Sequence, residues 1–127
     1  MDTDMFDDRS PIYRQIAEQI EADVLRGALG ADDQVMSTTK YAAFHRINPA
    51  TVAKAFQQLV DDGLLYKRRG VGMFVSPDAP ETLRERRRKT FFTDVVDPMV
   101  AQARTLRIPA GELIDRITEL STGEEQP

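Results

Sequence analysis

Asn48-Pro49-Ala50-Thr51-Val52-Ala53-Lys54-Ala55-Phe56, followed by Gly63 and then by Arg68-Arg69-Gly70-Val71-Gly72, is the stretch on which the reading of this chain turns. Asn48 is suited to cap a helix, because its side-chain oxygen can accept a backbone N–H of the first turn that has no partner within the helix. Pro49 follows at the first helical position, where its missing donor costs nothing. Val52, Phe56, Leu59 and Val60 recur at helical spacing and make one apolar face, with Ala50, Thr51, Lys54 and Gln58 largely on the others. Gly63 is placed to end the helix in a left-handed C-cap. Beyond it, Leu64-Leu65-Tyr66-Lys67 and Met73-Phe74-Val75-Ser76 are β-prone runs joined by a glycine-containing segment, which predicts a hairpin. Its turn carries Lys67, Arg68 and Arg69 beside Gly70 and Gly72. Guanidinium groups pair bidentately with phosphate oxygens and glycine permits close backbone approach, so a helix followed by such a hairpin predicts a recognition helix and a basic wing. The competing reading is a solvated turn charged for solubility.

Composition bounds the alternatives. The 127 residues suffice for one compact domain or two very small ones. There is no cysteine, which excludes disulfides and thiol-based metal sites or catalysis. The acidic start, Asp2, Asp4, Asp7 and Asp8, has no apolar segment of signal-peptide length, and no run approaches a membrane span, so a cytoplasmic protein without a membrane partner is expected. The net charge of −4 argues at first against a polyanionic partner. Its distribution reverses that argument, because residues 36–76 hold six Lys/Arg against two Asp/Glu. It is the local field that steers a polyanion.

Upstream, Ser10-Pro11 predicts a helix start, and Ile12, Ile16, Ile20 and Val24, with Tyr13 and Ala17, form its apolar stripe up to Gly27. Val35 is read as a short extended piece that pairs with the wing. Ser37 is read as the cap of a second helix, with Ala42, Ala43 and Phe44 as packing residues. Lys40 in the first turn opposes the helix dipole, a penalty that a nearby phosphate would remove. His45-Arg46-Ile47 is the expected turn into the recognition helix, with Ile47 beneath it and His45, the single histidine, at its surface. One histidine without cysteine partners supports neither a metal site nor a nucleophile relay. The neighbouring carboxylates Asp32-Asp33 and Asp61-Asp62 read as solvating or end-capping groups. No cofactor, metal or enzymatic activity is expected.

The order of these parts resembles the winged helix-turn-helix of GntR-family bacterial transcription regulators. The resemblance rests on Pro11-Ile12-Tyr13-Arg14-Gln15-Ile16, Asn48-Pro49-Ala50-Thr51-Val52-Ala53-Lys54-Ala55, Asp62-Gly63-Leu64-Leu65 and Arg68-Arg69-Gly70-Val71-Gly72-Met73-Phe74-Val75. The short tail and the Asn-Pro-x-Thr-Val start of the recognition helix are similar to the YtrA-type subfamily. The resemblance implies a mainly helical fold with a small β-wing, double-stranded DNA as partner, and a small dimerising tail in place of an effector domain. It departs from the family at Val35-Met36-Ser37-Thr38-Thr39, where relatives carry Leu-Pro-Ser-x-Arg. Thr39 thus replaces an arginine that commonly touches DNA, and a hydroxyl cannot make the bidentate guanidinium contact to guanine. Candidate base readers are Asn48, Ala50, Thr51 and Lys54. Ser37, Thr38, Thr39, Lys40, Pro49, Arg68, Arg69, Gly70 and Gly72 complete the candidate DNA surface.

Three parts are expected: an acidic extension over 1–9, the winged helix-turn-helix over 10–76, and a linker with a two-helix dimerisation region over 77–127. The linker is Pro77-Asp78-Ala79-Pro80. Arg84, Arg86, Arg87, Arg88 and Lys89 then form a second basic cluster, read either as a solvated helix face or as a DNA flank. Phe91, Phe92, Val95, Val96, Met99, Val100, Ala103 and Leu106 make a broad apolar stripe in which Pro98 should kink or divide the helix. Leu113, Ile114, Ile117 and Leu120 form another. Leaving such side chains in water forfeits roughly 1.5–3 kcal/mol each, so the expected solution is a twofold dimer. The alternative is that both helices fold back on their own winged helix. An unidentified small-molecule effector would bind at the dimer interface. The expected function is sequence-specific DNA binding by a transcription regulator, a repressor that reads an inverted repeat as a homodimer. The competing class is a winged-helix protein-interaction module without specific DNA reading.

Overall fold

The computed structural model describes residues 10–125, so the acidic extension expected over 1–9 lies outside the described residues. The described residues fall into two compact units that meet between Glu85 and Arg86.

In the first unit, α1 (Ile12–Leu25), α2 (Thr38–His45) and α3 (Pro49–Asp61) precede an antiparallel hairpin of β1 (Leu65–Arg68) and β2 (Gly72–Val75). α3 is the hub, packing against α1, α2 and β1. The predicted stripe of α1 is buried through Ile16, Ala17, Ile20 and Val24, and that of α3 through Val52, Phe56 and Leu59. Ala55, not counted in the expected apolar face, is fully buried in the core cluster as well. Val60 and Gln58 are only half-buried.

The ends of α1 and α3 follow from their sequences. Gly63 has φ +78° and lets Leu64 N–H reach Leu59 C=O at 2.9 Å, bringing two buried leucines together as α3 closes. Arg46 takes the same left-handed conformation, φ +57°, at the turn between α2 and α3. At its start, α1 begins one residue later than Ser10-Pro11 suggested. Pro11 takes the cap position without a side-chain cap, and Gln15 Nε2 reaches back to Ser10 C=O at 2.7 Å.

The region expected to be a linker, 77–80, is already structured. α4 (Ala79–Phe91) starts there, and Ala79 and Leu83 are fully buried in the core of the first unit. A proline in the first turn of a helix loses no hydrogen bond, so Pro80 permits this start.

The second unit contains the end of α4, a π-helical segment over Phe92–Val96, α5 (Asp97–Thr105) and α6 (Ala110–Glu125). Pro98 lies two residues after the end of the π segment, in the first turn of α5. Its ring would collide with the carbonyl four residues back in a regular α-helix; the wider turn ahead of it relieves that collision, so the helix is segmented rather than broken. Arg107, φ +58°, ends α5, and Ile108 N–H donates to Ala103 C=O at 2.8 Å.

Candidate nucleic-acid interface

Two side-chain caps set the helix-turn-helix. Ser37 Oγ accepts from Lys40 N–H at 3.1 Å at the start of α2, and Asn48 Oδ1 accepts from Ala50 N–H at 2.8 Å at the start of α3. Capping uses one lone pair of the Asn48 carbonyl oxygen and leaves the NH₂ group of this exposed residue as a donor. Around these helix starts Thr39, Lys40, Asn48, Pro49, Ala50 and Lys54 are exposed, and Thr38 and Thr51 are half-exposed. The inner face of α3 is meanwhile locked in the core.

Lys54 is held in place. Its ammonium lies 4.1 Å from the centre of the Tyr13 ring on α1, a cation–π contact that keeps the charge on the exposed side of α3. Tyr13 was expected only to reinforce the α1 stripe, and no local pattern signals its role beside Lys54, since the two are brought together by helix packing alone.

The wing differs by one residue from its predicted limits. Arg68 belongs to β1, opposite Gly72, and the turn is Arg69-Gly70-Val71. The Arg68 guanidinium lies 5.3 Å from the centre of the Phe74 ring, and Tyr66 stacks on Phe74 at 5.6 Å. Arg69 and Gly70 are exposed at the tip and Gly72 is partly covered. The extended piece expected at Val35 is present: Val35 N–H donates to Met73 C=O at 2.9 Å, and Gln34 bridges to Phe74. Tyr66 O–H donates to Asp32 Oδ1 at 2.7 Å. That bond, followed by burial and the nearby Asp32 charge, raises the phenol above its ordinary value.

Two expectations for α2 are corrected. His45 is not a surface turn residue but the buried last residue of the helix, one turn after Tyr41 on the same face, with ring centres 4.3 Å apart. Phe44, expected to pack, is 59% exposed and Ala43 is exposed too, because the inward face of α2 is set by Tyr41, Ala42 and His45. Burial pushes the Tyr41 phenol up to about 12, helped by the Asp23 charge.

The carboxylate pairs do structural work, Asp33 accepting from Gly30 N–H at 2.7 Å and Asp61 from Gln57 at 2.9 Å. Among the described residues no cluster of three or more His, Cys, Asp or Glu could hold a metal ion, and no helix is long and apolar enough to cross a membrane.

In the tail, Phe91, Phe92, Val95, Met99, Leu106, Ile114, Ile117 and Leu120 are exposed, Val96, Val100 and Leu113 are half-buried, and Ala103 is buried. No described side chain of α6 is buried.

Three helices with a capped, outward-facing third helix and a basic β-hairpin define a winged helix-turn-helix protein of the DNA-binding type. Residues 12–75 match the bacterial regulatory proteins of the gntR family, and the chain belongs to that family, as a DNA-binding transcription regulator and not an enzyme. It is 31% identical over 112 residues to the HTH-type transcriptional repressor YtrA of Bacillus subtilis (strain 168), covering 88% of this chain and 85% of the relative. A GntR family transcriptional regulator from Listeria monocytogenes superposes with a TM-score of 0.68 at 25% identity, over 90% of this chain and 98% of the other. The DNA-binding domain of AraR in complex with operator ORX1 is also similar, with a TM-score of 0.52 at 28% identity, over 56% of this chain and 92% of that one.

Proposed function

We propose that the chain is a homodimeric repressor that reads an inverted-repeat operator. The observation that carries this reading is the division of α3: Val52, Ala55, Phe56 and Leu59 are buried, while Ala50 and Lys54 face outward behind a cap that leaves the Asn48 NH₂ as a donor. A helix anchored in this way can enter a major groove as a rigid reader, with Asn48, Ala50, Thr51 and Lys54 toward base edges. Ser37, Thr38, Thr39, Lys40 and Pro49 lie at the adjoining helix starts and Arg68, Arg69, Gly70 and Gly72 on the wing, positions suited to the phosphate backbone. The exposed apolar side chains of α5 and α6 supply the self-complementary surface that a twofold pair needs. An effector would act at that interface by altering the spacing of the two heads. The similarity to a relative named as a repressor supports the sign of regulation.

The test is selection of bound duplexes from a random library at moderate salt, with the mass of the winning complex measured. An enriched inverted repeat carrying two chains is the expected result. Absence of enrichment over random DNA would replace this reading with a protein-interaction module.

A further inference from the structure

The segment between α1 and α2 forms a third edge of the wing sheet. Asp32 N–H donates to Val75 C=O at 2.8 Å, Val75 N–H to Asp33 C=O at 2.9 Å, and Val35 N–H to Met73 C=O at 2.9 Å. From the middle of this edge the Gln34 side chain crosses to the wing turn, where Nε2 donates to the Val71 carbonyl at 3.0 Å. The contact joins residues 37 apart in sequence, and Ser37, three residues after Gln34, caps α2.

Gly72 is shaped around this contact. A Cβ added there would stand 2.6 Å from Gln34 Nε2, and its φ of +144° lies in the region that favours glycine. A side chain at 72 would therefore have to push the end of the Gln34 side chain aside, and the positive φ favours glycine there whatever the wing meets outside the protein. The turn between Arg68 and Gly72 closes on itself through Val71 N–H to Arg68 C=O at 2.9 Å, a bond that shapes the turn without orienting it against the helices. The backbone bonds at Met73 and Val75 tie the hairpin's β2 strand to the 32–35 segment, and the Gln34 amide is the contact from that segment that reaches the turn itself.

We propose that Gln34 is the positioning residue of the wing. Its amide holds the Val71 carbonyl and so sets where Arg68 and Arg69 stand relative to α2 and α3. This rests on the reading that Arg68 and Arg69 contact the DNA backbone, through which Gln34 acts without touching DNA itself.

A double-mutant cycle on the full chain and the selected operator tests it. Gln34→Met keeps the side chain's length and removes the donor; the partner change is Arg68→Ala with Arg69→Ala. Losing one hydrogen bond that orients the wing should weaken binding by roughly 2- to 10-fold and lower the dependence of affinity on salt, with the denaturant midpoint nearly unchanged. In the background lacking both arginines, Gln34→Met should cost less than about twofold, because the groups it positions are gone. Equal losses in both backgrounds, or no loss in the wild-type background, overturn the proposal. Unchanged binding by the arginine variant alone would instead overturn the underlying role of the wing, an outcome visible without any change at Gln34.

Discussion

The ammonium of Lys54 rests 4.1 Å from the centre of the Tyr13 ring, so a residue of the first helix fixes the direction of a charge on the third. A cation over an aromatic face is stabilised by about 0.5–1 kcal/mol at an exposed site. Tyr13→Leu should therefore lower operator affinity by about 2- to 5-fold by releasing Lys54, while Tyr13→Phe, which keeps the ring, should bind nearly as wild type. Fluorescence anisotropy titrations at a fixed salt concentration distinguish the two. Equal losses in both variants would mean that the hydroxyl, and not the ring, matters.

Asn48 combines a structural and a recognition role that substitution can separate. Its oxygen caps α3, a contribution of about 1 kcal/mol, and its NH₂ takes no part in that cap on an exposed residue. Asn48→Ser keeps a capping oxygen and removes the NH₂, so stability in urea should hold while operator affinity falls. Asn48→Ala should lose both. A stable Asn48→Ser protein with full affinity would remove this side chain from recognition.

The tail offers a direct test of assembly. Ile117 and Leu120 are more than half exposed on α6, and placing carboxylates there as Ile117→Glu and Leu120→Glu should set like charges against each other in a twofold interface. Sedimentation velocity should show the wild type as a dimer and the double variant as a monomer with reduced operator affinity. A wild-type monomer at all concentrations would end the dimer proposal.

Tyr41 links stability to alkaline pH. Its phenol is pushed up to about 12 by burial and by Asp23, against 10.0 when unperturbed. The folded state therefore keeps a proton that the unfolded chain releases above pH 10, so this stabilisation is complete below about pH 10 and is lost progressively as pH rises toward 12. Tyr41 Oη has no hydrogen-bond partner among the described residues, and an unpaired buried hydroxyl costs about 1–3 kcal/mol. Tyr41→Phe should raise the melting temperature at neutral pH and flatten the decline above pH 10. Unfolding curves between pH 7 and 11 check both.

Phe56 measures how far α3 depends on the core. It is 1% exposed among residues of α1, α2 and the hairpin, and Phe56→Ala should cost about 3–5 kcal/mol, enough to consume much of a small domain's stability. Chemical denaturation should show a large fall in midpoint. A change below about 1 kcal/mol would contradict the packing described for the first unit.

Features controlled by local chemistry could be read along the chain. The caps at Ser37 and Asn48 follow from short polar side chains before a helix, the end of α3 from a glycine that can adopt positive φ, and the stripes of α1 and α3 from helical spacing. The GntR resemblance was legible for the same reason, because its residues occupy short contiguous stretches. Tertiary structure decided the rest. Which face of the short helix α2 turns inward depended on its neighbours, so His45 is buried and Phe44 exposed against expectation. The stretch 77–80 looked like a linker because Pro77 and Pro80 flank it, yet Ala79 and Leu83 enter the core as the first turns of α4. Lys54 meets Tyr13, and Gln34 meets Val71, across separations of 41 and 37 residues. No periodicity encodes such pairs; they exist because packed helices and a closed hairpin bring distant backbone to within a few ångströms.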